Sequence, residues 1–299
     1  MQRRKFIQSA TASAAAFTIL PCQRVLAEIH QATRTLPVRV KISLNSYSFN
    51  RPLVSGEMTM DDMLDFAAQT GFEGIDLTGY YFPGYPAVPS DEYIYHIKRK
   101  AFRLGIEICG SGVRNNFAQA DPAAREAAMK HVKEWILVAS KLGGQTLRIF
   151  AGDNVPTGYS REETLQWVVG CIKECADYGR QHGIVLAIQN HNDFLKTAAQ
   201  VEELLQAVNS DWVGLMLDIG SYRTDPYTEI RQTIQYAITW QIKEEIYING
   251  KATKTDLDQI KTIINNSTYR GYLPIETLGE GDPKQKIAVM FQEVKKRFG

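Results

Sequence analysis

Ile184-Val185-Leu186-Ala187-Ile188-Gln189-Asn190-His191-Asn192-Asp193 opens as an apolar, β-branched run and closes on five polar residues. The run reads as a buried strand, whose interior has no use for Gln-Asn-His-Asn-Asp. Such residues belong at the C-terminal end of the strand, where α/β architectures place their ligand sites. The design recurs at Leu215-Met216-Leu217-Asp218, Ile238-Thr239-Trp240-Gln241-Ile242-Lys243 and Leu273-Pro274-Ile275-Glu276-Thr277. Four strand tips of one kind imply one site at one end of the sheet.

Outward from this stretch the periodicity alternates between strand and helix. Strands are expected at 38–43, 74–77, 106–110, 146–150, 184–188, 213–217, 238–242 and 273–275. A helix follows each, marked by its punctuation: Thr59 and Asp62 resemble a capping box, Asp121-Pro122 opens a helix, and Gly71, Gly105, Gly143 and Gly183 each end one. Eight strand–helix units at about 33 residues each meet the requirement of a single-domain (β/α)8 TIM barrel, which uses about 250 residues. A doubly wound sheet would more often carry a glycine-rich turn after its first strand, and Leu44-Asn45-Ser46-Tyr47 has none. One excursion breaks the short-loop pattern. From Thr78 to Pro89 it holds Tyr80, Tyr81, Phe82 and Tyr85 with three prolines, a rigid apolar wall able to stack on a sugar ring. Packing of the loop on itself is the compatible alternative.

Composition narrows the classes. With 44% hydrophobic residues, 22% charged residues and a net charge of +1 over 299 residues, the chain is neither a general nucleic-acid binder nor a membrane-surface binder. Beyond the N-terminus no apolar run reaches the roughly 18–20 residues of a membrane span. Residues 1–27 read as a Tat-type export signal: Arg3-Arg4-Lys5, a weakly apolar run from Ala10 to Leu20, then Val25-Leu26-Ala27 as the cleavage tripeptide. The expectation is an exported, periplasmic protein, with residues 28–37 as a leader and 38–299 as the barrel. Cys171 and Cys175 share a helix face and read, with Cys109, as small buried hydrophobes.

Leu-Ala-Ile-Gln-Asn-His, Leu-Asp-Ile-Gly-Ser, Trp-Gln-Ile-Lys-Glu and Pro-Ile-Glu-Thr, in this order on the last four strands, resemble the sugar phosphate isomerase/epimerase family. This is the xylose isomerase-like TIM barrel superfamily, which also holds endonuclease IV and the inosose dehydratases. The resemblance spans about residues 38–298. It implies a divalent ion (Mn, Mg or Zn) on a Glu, an Asp, a His and a Glu, with the two glutamates as acid/base groups about a sugar carbon. Carried over by position, the ligands are Gln189, Asp218, Gln241 and Glu276. Asp218 and Glu276 match; Gln189 and Gln241 depart. An amide oxygen can bind a hard cation but brings no charge and takes up no proton near neutral pH.

Two-base epimerisation loses one base at Gln189. Glu276 is left as the clear base, with Lys243 and His191 as acid partners. Asn45, Tyr81, Arg148 and Gln189 are the candidates for holding substrate, and Glu107 ranks below them. Arg148 lies between Leu147 and Ile149, so its charge should need a carboxylate partner. Asn192 reads as a turn residue. Ser221 and Arg223 stand where a second family histidine would be, against an endonuclease-type metal cluster and so against nucleic acid as partner. The expected activity is proton transfer beside the carbonyl of a sugar or keto sugar. A lyase or hydratase on 3-keto sugars, and a non-catalytic sugar-binding barrel, are the alternatives.

Overall fold

The structure is a computed structural model that describes residues 39–299. The expected export signal and leader fall outside the described residues. Eight parallel strands close a barrel in the order β1-β10-β7-β6-β5-β4-β3-β2. They are β1 Lys41–Asn45, β2 Gly74–Thr78, β3 Glu107–Gly112, β4 Thr146–Phe150, β5 Val185–Gln189, β6 Val213–Asp218, β7 Ala237–Lys243 and β10 Tyr272–Glu276. Between them run α1 Asn50–Ser55, α2 Met60–Thr70, α3 Asp91–Leu104, α4 Pro122–Leu142, α5 Arg161–Gln181, α6 Ala198–Val208, α7 Pro226–Thr233 and α8 Leu257–Asn265, with α9 Pro283–Phe298 closing the chain. A two-stranded antiparallel hairpin, β8 Glu245–Ile248 and β9 Lys251–Lys254, stands between β7 and α8.

The strands are apolar runs because both of their faces are covered, inward by the barrel filling and outward by the helices. All five residues of β2 are buried, as are all but the first of β1, β4, β5 and β10. Ile42, Leu44, Ile75, Leu147, Ile188, Leu217 and Ile275 join helix residues such as Leu64, Ile97, Trp135, Ile172, Val201 and Phe291 in one core. Helix ends obey the local chemistry. Thr59 and Asp62 make the reciprocal capping box, Asp121 caps α4, and Gly71, Gly105 and Gly143 close their helices with left-handed backbone.

The structure departs from the sequence reading at element boundaries and in two added elements. β1 begins at Lys41, where pairing with Tyr272 of β10 starts, rather than at residue 38. The helix that follows β6 stops at Thr233 and tightens into a 3-10 turn over Ile234–Tyr236 before β7. The helix α1 and the β8–β9 hairpin were not expected.

Candidate active site

Parallel register delivers four polar strand ends to one rim. Asp218, the last residue of β6, pairs with Gln241, and Lys243, the last of β7, pairs with Glu276, the last of β10. The Lys243 ammonium bridges the two carboxylates, 2.9 Å from Asp218 Oδ2 and 3.0 Å from Glu276 Oε1. Gln189 Nε2 donates to the same Asp218 oxygen at 2.9 Å and to Gln241 Oε1 at 2.8 Å. The other oxygen, Asp218 Oδ1, accepts from the Gly220 N–H at 2.9 Å. Asn190 fixes the strand end from the side, accepting from the Asp218 N–H at 2.8 Å and donating to its carbonyl at 3.0 Å. Gly220 makes room for the lysine stem: a Cβ there would lie 2.7 Å from Lys243 Cδ.

The electrostatics follow from burial and pairing. Burial alone would raise the Asp218 carboxyl; the Lys243 charge, with hydrogen bonds from Lys243 and Gln189, outweighs it and holds the group below its ordinary value. Burial would likewise lower the Lys243 ammonium, and the two carboxylates more than reverse this. Asp218 is therefore a carboxylate and Lys243 a cation throughout the physiological range.

The four residues expected to ligate a divalent ion do converge, but as arranged they do not fit one. A cation needs lone pairs pointing inward, whereas Gln189 turns its N–H groups to Asp218 and Gln241. The carboxylate oxygens of Asp218 and Glu276 are bridged by an ammonium. Among the described residues no group of three or more His, Cys, Asp or Glu side chains could hold a metal.

Across the barrel lies a second buried polar group that the sequence reading found only in part. Asn45 Nδ2 donates to Asp76 Oδ2 at 2.8 Å, and Asn45 Oδ1 accepts from the Tyr47 N–H. Asp76 was missed, although a carboxylate between Ile75 and Leu77 is the same signal that singled out Arg148. Burial pushes its pKa up to about 6, Glu276 adds to the rise, and Arg148 with the Asn45 hydrogen bond opposes it. Arg148 itself corrects an expectation. It has no carboxylate in ion-pair range among the described residues. Its guanidinium instead donates to Val113 O at 2.6 Å and Tyr80 Oη at 2.8 Å, and lies 4.5 Å from the Phe150 ring centroid.

The aromatic loop does two jobs. Tyr85 and Phe82 pack on Trp135 of α4, whose Nε1 donates to Pro86 O. Tyr80 and Tyr81 stay half-buried at the rim, and Tyr81 Oη donates to Asn50. His191 is half-exposed beside Phe150 and pairs with Asp193 at 3.3 Å, outside the lysine cluster. Asn192 turns the chain with φ of 58°. Glu107 lies at the opposite end of the barrel, at the start of β3, with Lys41 and Tyr272, and so leaves the candidate set. A cleft of about 400 Å³, lined by Tyr47, Arg51, Thr277, Glu280 and Lys286, opens beyond β1 and β10. It flanks the cluster through Thr277, the neighbour of Glu276, whose hydroxyl is buried without a protein partner.

A closed parallel barrel with helices between its strands is a TIM barrel, and its polar residues gather at the C-terminal strand ends. The family model described as "Xylose isomerase-like TIM barrel" matches residues 64–294, and the chain belongs to that family. A 3-dehydroshikimate dehydratase of Bacillus anthracis is 23% identical over 209 residues, 66% of this chain and 70% of that protein. Among solved structures, D-psicose 3-epimerase superposes with a TM-score of 0.71 at 18% identity, covering 87% of this chain and 99% of its own. A 3-keto-D-glucoside 4-epimerase from E. coli gives 0.66 at 11% identity, covering 87% and 100%. At these identities the likeness to solved structures is one of fold.

Proposed function

We propose that this protein is an exported carbohydrate-active enzyme that shifts a proton beside the carbonyl of a sugar or keto sugar, in an isomerase or epimerase reaction. The observation that carries the reading is the buried Asp218–Lys243–Glu276 bridge at the barrel's C-terminal rim. Glu276 takes a proton from the carbon next to the carbonyl, and the C–H electrons move onto the carbonyl oxygen. Lys243 donates an N–H to that oxygen as its negative charge develops, which lowers the barrier to ionisation. Asp218, held ionised by its hydrogen bonds, keeps the ammonium in place. Protonated Glu276 returns the proton, on the same face, to the former carbonyl carbon, while the neighbouring hydroxyl gives up its proton to the former carbonyl oxygen. The carbonyl thus moves by one carbon and the reaction balances with one base. Tyr81 and Arg148 are proposed to hold the ring, with His191 at the open edge.

The similar proteins are named as a D-psicose 3-epimerase, a 3-keto-D-glucoside 4-epimerase and a 3-dehydroshikimate dehydratase, and a proton shift beside a carbonyl is a reaction class compatible with each of these names. An unphosphorylated substrate suits the proposed export, since sugar phosphates are largely cytoplasmic. A second reading, β-elimination, draws support from Gln189. An amide stands where an opposing base would be, so one-base chemistry that expels a hydroxyl needs nothing the site lacks.

The test is NMR in D2O with a panel of free sugars and 3-keto glycosides. Exchange of a carbon-bound proton, with a changed configuration or a moved carbonyl, supports the isomerase reading. Exchange with loss of water moves the assignment to a lyase. Saturable binding without exchange at any carbon leaves a sugar-binding barrel and removes the catalytic reading. Glu276→Gln is expected to slow exchange by a factor of about 10² or more.

A further inference from the structure

We propose that the Lys243 ammonium is the resident cation of this site and that the protein works without a divalent metal. The inference deepens the reading above, and its test does not depend on turnover. Three observations carry it. First, the ammonium sits between Asp218 and Glu276 at 2.9 and 3.0 Å, and the three side chains are largely sequestered, at 15%, 0% and 5% exposure. A divalent ion would have to enter against that charge, since a cation held in so little water repels another strongly.

Second, the two departures from the implied ligand set make sense together. A glutamate at 189 would add a third carboxylate for one ammonium to balance, and it could not donate to Asp218. Gln189 removes that charge and supplies the N–H that Asp218 Oδ2 accepts. Gln241 accepts from Gln189 rather than presenting an imidazole lone pair to a metal. Two carboxylates with one ammonium carry the same net charge as three carboxylates with one divalent ion. Third, the surroundings are shaped to the lysine. Gly220 leaves the stem the space a Cβ would fill, and its N–H occupies the second Asp218 oxygen.

The experiment is isothermal titration of MnCl2 into wild type, Glu276→Gln and Lys243→Met, with thermal melts in MnCl2 and in EDTA. Wild type is expected to show no stoichiometric heat at about 1 mM ion, weaker than useful hard-cation sites, and to melt identically in EDTA. Lys243→Met, freed of its ammonium, is expected to bind Mn2+ and to melt higher with it, because an ion that binds only the folded state stabilises it. Wild type binding about one Mn2+ tighter than roughly 100 μM, weakened tenfold or more in Glu276→Gln, overturns the inference. A folded Lys243→Met that ignores Mn2+ overturns it as well. If that variant does not fold, the wild-type and Glu276→Gln titrations decide. A wild type that binds no ion and exchanges no substrate proton would sink the proposed activity while leaving the lysine in the cation's place.

Discussion

Removing the charge of Lys243 leaves Asp218 and Glu276 as buried neighbours with no cation between them. Breaking a buried pair on one side costs about 3–5 kcal/mol, because the orphaned charge keeps its desolvation penalty. Lys243→Met should therefore lose roughly that much stability in urea melts near neutral pH. The dependence on pH has a definite sign. Asp218 has a folded pKa below its ordinary 3.8, so the stability it contributes through Lys243 is present above that value and lost as pH falls through the folded one. The gap between wild type and Lys243→Met should narrow below about pH 4; a gap that stays constant down to acid would refute the bridge. At this scale the sequence was informative about identity and poor about partners. Lys243, Asp218 and Glu276 were each legible as polar tips on apolar strands. Which of them touch depends on β6, β7 and β10 standing side by side, and strand order is not written locally. The ion entered through the family resemblance, which carries over ligand positions but not the contact that Lys243 makes with Asp218 and Glu276.

Elements set how finely that contact is held. The turn after β6 runs through Gly220, whose missing side chain leaves Lys243 Cδ its space. Gly220→Ala is expected to fold, at an overpacking cost of about 1–3 kcal/mol, and to displace the ammonium from Asp218. Proton exchange in D2O should fall while sugar affinity, measured by titration, stays near wild type. Equal losses of both would mean the turn acts only through stability. Strand and helix elements were legible wherever periodicity and caps agreed, as with Thr59 and Asp62 or Asp121 and Gly143. The β8–β9 hairpin was legible too and went unread. Asn249-Gly250 between Glu245–Ile248 and Lys251–Lys254 is the strongest short hairpin signal; both residues take positive φ, 50° and 76°. The expectation that a helix must follow each barrel strand directly hid it. The short helix α1 carried no such signal, since Asn50-Arg51-Pro52 looks like a turn.

Across the whole molecule, the two ends of the polar rim respond to pH in opposite senses. Asp218 stabilises when ionised, whereas burial lifts Asp76 to about 6. A carboxyl whose folded pKa lies above its unfolded 3.8 favours the fold while protonated. That contribution is complete below the unfolded value and lost as pH rises through the folded one. Ionised Asp76 thus opposes folding above pH 6, and the barrel tolerates it because Arg148 and Asn45 offset part of the cost of burial. Asp76→Asn keeps an oxygen that can accept from Asn45 while removing the titration. Its stability relative to wild type should therefore grow by about 2 kcal/mol between roughly pH 4.5 and pH 8, at 1.36 kcal/mol per unit of pKa difference. Denaturation of both proteins at the two pH values measures this directly. A difference that does not change with pH would mean Asp76 titrates as an ordinary carboxylate and that the interior around Arg148 is wetter than its burial implies.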